Sequence, residues 1–543
     1  MMFVNESLGR VARSGLGLLA LSACLAGLAA EEPKPAQPAR SQRLGLLEAV
    51  RLTLAQDPNI QLQERQIDIA KGALQSARGQ FDLTLDTALS RGLTGTPRTE
   101  LERINSVGRA HLTETVRDVT DYRLGLSKQF RSGLTVSPGI EITRSADNLD
   151  EQPALNRANI SFVVNVPLLK GLGREATGAA ERAARVGHEA AALDLQHVIA
   201  TRVLNVASAY WNCLGAEKQA AILKASENRA AELVDRVREL VKAGEFPAAE
   251  LKQVQADQAE KTAARIAGEQ RFWQAQQNLA LALGLPADKL MTPPVPEETF
   301  PRPPAEALPW RFQGQPVLER SLNRRADYQS ALKAQQAAEI LLAAARNNVK
   351  PQLDLNLEVG YAGLDEGSQF RRFFSSLETR NYAGPNALAT LRLNFPLANN
   401  AARGLLLQRD AAHQQSLIRS QDLARNISSG ILVALNELEQ TIEELKKAHE
   451  AAGYYREAVE NEREKLRIGT STVIDVITTA DRLSNALVNE ISAQSRYATS
   501  LARVRFETGL LVPPATDRSF SLSLEDFITI PQVDLIESPR ARP

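Results

Sequence analysis

Cysteine is almost missing from this chain. Its 543 residues contain only Cys24 and Cys213, which excludes an internal disulfide framework. Aromatic residues make up only 5% and there are three methionines, which does not suit a globular α/β enzyme core. Neither sign of charge is in excess, with Lys+Arg and Asp+Glu both at 64. The basic surplus that a nucleic-acid binder uses against phosphate is therefore absent. No apolar run reaches about 18 residues, so no transmembrane helix is expected. Ala, Leu, Gln, Glu and Arg are abundant, a balance that suits long helices.

Catalytic motifs are missing too. The five histidines, His111, His188, His197, His413 and His449, show no HExxH or comparable ligand spacing. There is no GxSxG elbow, no P-loop and no GxGxxG after a strand. The carboxylates are spread along helical faces, where solvation explains them. The chain reads as a non-enzyme with no cofactor and no metal site. Cys213 lies in a helical pattern and reads as a small buried residue.

The N-terminus has the pattern of a processing segment. Arg10 and Arg13 precede the short apolar stretch "SGLGLLALSA", as in an export signal. "LSAC", ending at Cys24, looks like a bacterial lipobox, which implies lipidation of Cys24 after removal of residues 1–23. The competing reading is ordinary cleavage after Ala29 or Ala30, with Cys24 discarded. Residues 24–43 include the Pro-rich "EEPKPAQPARSQ", an extended tether.

From there the chain repeats. "LAQDPNIQL" returns as "LNRRADYQS", and "SARGQFDLTLD" as "AARNNVKPQLDLNL", setting Arg78 opposite Arg346. "VVNVPLLKG" returns as "RLNFPLANN", "ELVKAGEFPAAEL" as "KLRIGTSTVIDV", and "LALALGLP" as "RFETGLLVP". Such self-similarity marks two copies of one unit, at residues 44–289 and 316–511. In each, a helix (44–79, and its copy near 318–347) leads into strands and then a long helical hairpin. The strands fall within 81–166 and 352–395, and the hairpins at 174–283 and 401–508. A Pro-rich linker at 290–315 separates the copies, and an extended tail follows at 512–543.

In the strands the apolar period is two. Phe81, Leu83, Leu85 and Leu89 alternate with Asp82, Thr84, Asp86 and Ser90. The same alternation recurs around Leu124, Ile140, Phe162, Leu355 and Leu391. Each run is near the ~9–11 residues that cross a bilayer at a tilt. A soluble sandwich would alternate similarly, but here one face carries Asp, Glu, Arg and Asn, as a water-filled lumen would. Long polar loops at 92–121 and 362–385, against a short turn at 130–133, add the asymmetry of an outer-membrane barrel. Residues 174–242 and 401–468 contain no proline, and each would form a helix on the order of 100 Å long. Helices of that length need neighbours alongside them. The returning helices near 248–283 and 473–508 are shorter by nearly half, and the helices at 44–79 and 318–347 are the natural extensions.

In this order of segments the chain resembles the TolC family of bacterial outer-membrane efflux proteins. The likeness is carried by the duplicated Pro167–Leu168 and Pro396–Leu397, by "ASAYWNCL", by the two hairpin turns and by Gly284 and Gly509. It implies a mainly α fold with a transmembrane β-barrel and a periplasmic α-barrel, assembled as a homotrimer. The implied function is passive conduction across the periplasm and outer membrane, in a tripartite efflux or type I secretion system with an adaptor (membrane fusion) protein and an inner-membrane pump. The linker and tail would form a belt around the helical barrel. Family members have two strands per copy, whereas four are expected here in the first. Either the trimer has about eighteen strands, or one hairpin lies outside the barrel.

The same resemblance supplies site residues. The tips at Gly244 and Glu245, and at Gly469, Thr470 and Ser471, would meet the adaptor. Asp475 matches the first of two Asp positions that ring the family's constriction, and the second falls on Thr478. Asp475 could instead bond free N–H groups in the first turn of its helix. The substrate is not legible, since the three methionines, Met1, Met2 and Met291, make no metal-binding cluster. A periplasmic tether or adaptor-like protein without a pore is the alternative function.

Overall fold

A computed structural model describes residues 43–105, 108–149, 154–304, 314–378, 382–513 and 522–531. Cys24, the export segment and nearly all of the tether lie outside the described residues.

The chain enters through β1 (Arg43–Leu44), α1 (Leu46–Gln56) and α2 (Pro58–Gly79). Next come β2 (Leu83–Pro97), α3 (Glu100–Ile104), β3 (Glu114–Gln129), β4 (Thr135–Asp147) and β5 (Leu155–Pro167). A turn of helix, α4 (Arg174–Thr177), precedes the hairpin of α5 (Ala179–Lys242) and α6 (Ala248–Ala282). After β6 (Val295–Pro296) come α7 (Gly314–Arg324), α8 (Ala326–Asn348), β7 (Gln352–Glu366), α9 (Phe370–Ser375) and β8 (Tyr382–Asn394). A second hairpin, α10 (Asn400–Arg467) and α11 (Val473–Glu507), and a short α12 (Glu525–Ile528) complete it.

α5 has 64 residues and α10 has 68, about 96 and 102 Å of helix. α6 and α11 have 35 each, about 52 Å. The remaining length of α5 is covered by α1 and α2, and that of α10 by α7 and α8, while α8 and α11 also pack on α5.

The helices expected at 44–79 and 318–347 are each interrupted. Asp57 adopts an extended conformation, and its carboxylate accepts the N–H groups of Asn59 (2.7 Å) and Ile60 (3.3 Å). Pro58, with no N–H to satisfy, opens the next helix. Arg325 is extended at the corresponding break. Apolar residues at helical intervals lie on both sides of each junction, which hides them. The helix expected from residue 174 likewise restarts after Gly178.

The main core lies at these junctions. Tyr210 and Trp211 of α5 are fully buried with Leu46 and Val50 of α1, Ile60 of α2, Leu279 and Leu283 at the end of α6, and Phe527 of α12. β1 pairs in parallel with β6, so linker and tail converge on the same core. The Tyr210 hydroxyl donates to the Leu44 carbonyl (3.0 Å) and accepts the N–H groups of Glu297 (3.0 Å) and Glu298 (3.2 Å). The Glu298 carboxylate in turn accepts the first N–H of α1, from Leu46, at 2.7 Å. Cys213 is buried beside them, and that burial pushes its thiol up to about 12, out of reach of thiolate chemistry.

The strands form one antiparallel sheet in the order β2-β3-β4-β5-β7-β8. They have 13 to 16 residues, longer than the apolar alternation suggests. The added residues are polar ones at the ends, such as 94–97 and 114–118. The connections are correspondingly shorter than the expected loops at 92–121 and 362–385.

Tyr210→Phe is expected to remove the hydroxyl from the Glu298 N–H, while the Glu297 N–H keeps the Leu44 carbonyl (3.1 Å), at a cost of about 0.5–1.5 kcal/mol. A lower thermal midpoint with unchanged helical content checks it; an unchanged midpoint would show that the hydroxyl is dispensable.

Candidate functional site: the hairpin tips and the two-faced sheet

Both hairpins end in the same backbone motif. At the first tip the Gly244 N–H bonds the Val241 carbonyl (3.1 Å) and the Glu245 N–H bonds Leu240 (3.0 Å). At the second the Gly469 N–H bonds Leu466 (3.1 Å) and the Thr470 N–H bonds Lys465 (2.9 Å). Gly244 and Gly469 have φ of 77° and 78°, the left-handed conformation that closes a Schellman motif. A side chain at either would meet nothing within 4 Å, so only backbone conformation demands glycine there. The glycines at the other ends of the hairpins are crowded. A Cβ on Gly284 would lie 2.9 Å from the Asp57 Cα, and one on Gly509 would lie 2.9 Å from the Arg324 Cβ.

The tips lie side by side. Val234 and Val237 of α5 and Val254 of α6 share a buried cluster with Val473 of α11, bordered by Phe246, Leu466 and Ile477. Lys261 of α6 pairs with Asp481 of α11 and, at 3.3 Å, with Asp257. Burial pushes the Asp257 carboxyl up despite that neighbour. Arg229 donates to the Ser484 hydroxyl (3.2 Å). A cavity of about 150 Å³ lies among these groups.

Asp475 faces solvent, as does Thr478. The Asp475 carboxylate accepts both the Thr472 hydroxyl (2.6 Å) and the Thr472 N–H (3.1 Å), while the Asp475 N–H returns to the Thr472 hydroxyl (3.3 Å). This reciprocal capping box satisfies two free donors at the start of α11. The hydrogen bonds from Thr472 hold the carboxyl below its ordinary value of 3.8. Ser471 donates to Glu462, which also pairs with Lys465 at 3.1 Å. Thr472 and Glu462 were not singled out from sequence, although the Thr-x-x-Asp spacing was the signal for the first.

Register sorts the sheet into two faces. One row across all six strands reads Thr87, Leu124, Ile140, Ile160, Tyr361 and Pro385. A parallel row from β3 to β8 reads Val136 (opposite Lys128), Val164, Leu357 and Ala389. The other face carries Ser90 and Thr143 on Asp121, the Arg123–Glu141 pair and the Asn165–Asn356 bond. Among the described residues, β2 and β8 have no partner along their outer edges. No helix among them is long and apolar enough to cross a membrane, and no His/Cys/Asp/Glu group among them could hold a metal ion.

Residues 133–285 match the family model described as outer membrane efflux protein. The chain carries an outer membrane efflux protein domain. With it the family resemblance read from the sequence stands, and that family is one of channels rather than enzymes. Several solved structures share the fold. The CmeC outer membrane channel of Campylobacter jejuni superimposes with a TM-score of 0.62 at 15% identity, over 86% of this chain and 85% of that one. The outer membrane protein VceC of Vibrio cholerae gives 0.62 at 15%, over 86% and 96%. The open-state MtrE outer membrane channel of Neisseria gonorrhoeae gives 0.59 at 16%, over 88% and 93%. None of the curated protein sequences matches significantly.

Two outcomes follow from the hairpins. Gly469→Ala adds only left-handed strain, about 1–2 kcal/mol, whereas Gly284→Ala adds a backbone clash and lowers the thermal midpoint further. Equal losses would contradict the difference in crowding. Because the Asp475 carboxyl is held down in the folded state, its support for α11 is full above its ordinary value and fades as pH falls below it. Thr472→Val is expected to speed amide exchange at 473–476 roughly five-fold at neutral pH. Unchanged exchange would remove the cap from the account.

Proposed function

We propose that three copies of this chain form an outer-membrane efflux conduit, each built from two copies of one strand-and-hairpin unit. The observation that carries this reading is the six-stranded sheet with one apolar face, one polar face and two open edges, joined to helices about 100 Å long. A long open edge of this kind invites pairing. Pairing β8 of one chain with β2 of the next would close a barrel of about eighteen strands with lipid outside and water within. The alternative, a helical tether without a pore, gives such a sheet no use.

In this reading the helical hairpins extend through the periplasm toward an adaptor and an inner-membrane pump. Gly244, Glu245, Gly469, Thr470 and Ser471 form the contact tips, where bare glycines let a partner helix approach the backbone. Asp475 forms a ring of three carboxylates at the narrow end, with Thr478 one turn further on. Cys24 carries a lipid that adds to the barrel's hold on the membrane.

Single-channel recordings in planar bilayers test the conduit. A trimer extracted in detergent should conduct, and Asp475→Ala should weaken cation preference and divalent block several-fold. A soluble monomer that does not conduct would overturn the function. Conduction with unaltered selectivity would remove only the ring.

A further inference from the structure

α9 follows β7 with the sequence FRRFFS. Its seat on the sheet is specific. Phe373 is buried with Ile142 and Ala158 and meets the Tyr122 ring at 4.3 Å. Register puts Tyr122, Ile142 and Ala158 in one row, on the apolar face rather than the polar one. α9 therefore lies over the apolar face, against the middle of β3 and near the end of β4 and the start of β5. Asp365 at the end of β7 holds it there, accepting from Arg372 (3.3 Å) and from the Ser375 hydroxyl. Asn156 is buried beneath, and its amide donates to the carbonyls of Asp365 (3.2 Å) and Gly367 (2.9 Å).

The outward side of α9 does not suit water. Phe370 is 69% exposed and Phe374 51%, with ring centroids 5.3 Å apart, edge to face. At a helical 100° per residue, both point sideways from Phe373, along the sheet surface, and Arg371 points away from it. Arg371 is exposed and, among the described residues, has no ion pair, unlike Arg372. Aromatic rings flanking an apolar surface, with an exposed guanidinium above them, match the boundary between hydrocarbon and anionic headgroups.

We propose that α9 is an interfacial foot that inserts Phe370 and Phe374 into the membrane beside the barrel wall and pairs Arg371 with the phosphate of an anionic lipid. This rests on the reading that the apolar face is lipid-facing. Continuity of the two surfaces names the occupant: the rings of α9 extend the same row that would contact lipid. Planar guanidinium matches phosphate oxygens in geometry and charge.

Spin labels on the full-length protein in vesicles test it, comparing phosphatidylcholine alone with phosphatidylcholine plus phosphatidylglycerol. A label at Phe374→Cys should be accessible to oxygen and shielded from a water-soluble nickel chelate. Its nickel accessibility should fall further, at least two-fold, when the anionic lipid is present, and Arg371→Glu should abolish that second drop. A label at Val359→Cys, mid-strand on the apolar face, reports on the barrel separately. Lipid exposure at 359 with water exposure at 374 would overturn the foot alone, and water exposure at 359 would overturn the barrel reading beneath it. Dipolar broadening between labels at 374 would mean that another copy of the chain covers the helix, which also overturns the proposal. Lipid exposure at 374 with no response to Arg371→Glu would overturn the phosphate contact.

Discussion

A helix of 64 residues cannot stand alone in water, and most of this fold answers that constraint. α5 needs a partner along its whole length, yet α6 returns over little more than half of it. The gap is filled end to end: α6 stops at Gly284, against Asp57, and α2 starts at Pro58. α11 and α8 meet in the same way at Gly509 and Arg324. Each junction brings together helix ends whose last carbonyls and first N–H groups have no partner within their own helix. Left-handed glycines, Asp57 and Glu298 supply those partners. At the second junction Arg325 pairs with Asp327 (2.8 Å) and Glu507 (2.9 Å) and stacks on Phe506. The first junction uses a buried carboxylate and the second a buried guanidinium, so the geometry is shared while the charge is reversed. The main buried core lies at these junctions because three helix ends, the linker and the tail converge there.

The sheet obeys a second constraint. Six strands with a two-sided pattern bury neither face against the long helices, which the sheet meets at its ends through turns such as the Gly171 N–H to Asn347 bond (2.8 Å), and only the short α9 sits on part of the apolar face. In water the apolar row through Leu124, Ile140 and Ile160 would drive aggregation. In a bilayer the same row is stabilising, and the hydrogen-bonded polar face needs water on its side. Sheet and helices thus make opposite demands on solvent, and a chain that enters a membrane at one end only can meet both.

The large features were legible because their periods are strong. Alternation at two marks all six strands, and uninterrupted helical spacing marks α5 and α10. The junction at Asp57 was missed because apolar residues at helical intervals lie on both sides of it, Val50 and Leu54 before and Ile60, Ile67 and Leu74 after, although Asp–Pro was itself a start signal. At Arg325 there was no proline to notice. Strand ends were missed because the residues beyond the apolar band, such as Thr94 and Thr115, carry no alternation. α9 was hidden for a different reason: six residues are too few for a helical period to emerge, and its position depends on Tyr122, more than two hundred residues earlier. The tip glycines were legible as turns, but only the geometry separates the open Gly469 from the crowded Gly284.

At the second tip, the two readings of Asp475 turn out to be compatible. A capping carboxylate accepts hydrogen bonds that favour its charged form, and these hold the Asp475 proton off at lower pH than usual. The cap therefore secures the charge that a constriction would use. The nearby charges are already matched: Lys465 pairs with Glu462 (3.1 Å) and Arg467 with Glu464. Among the described residues Asp475 makes no salt bridge, although Lys465 is close enough to favour its charged form. Three such charges brought together would repel one another, and the hydrogen bonds from Thr472 offset part of that cost inside each chain, before any cation arrives.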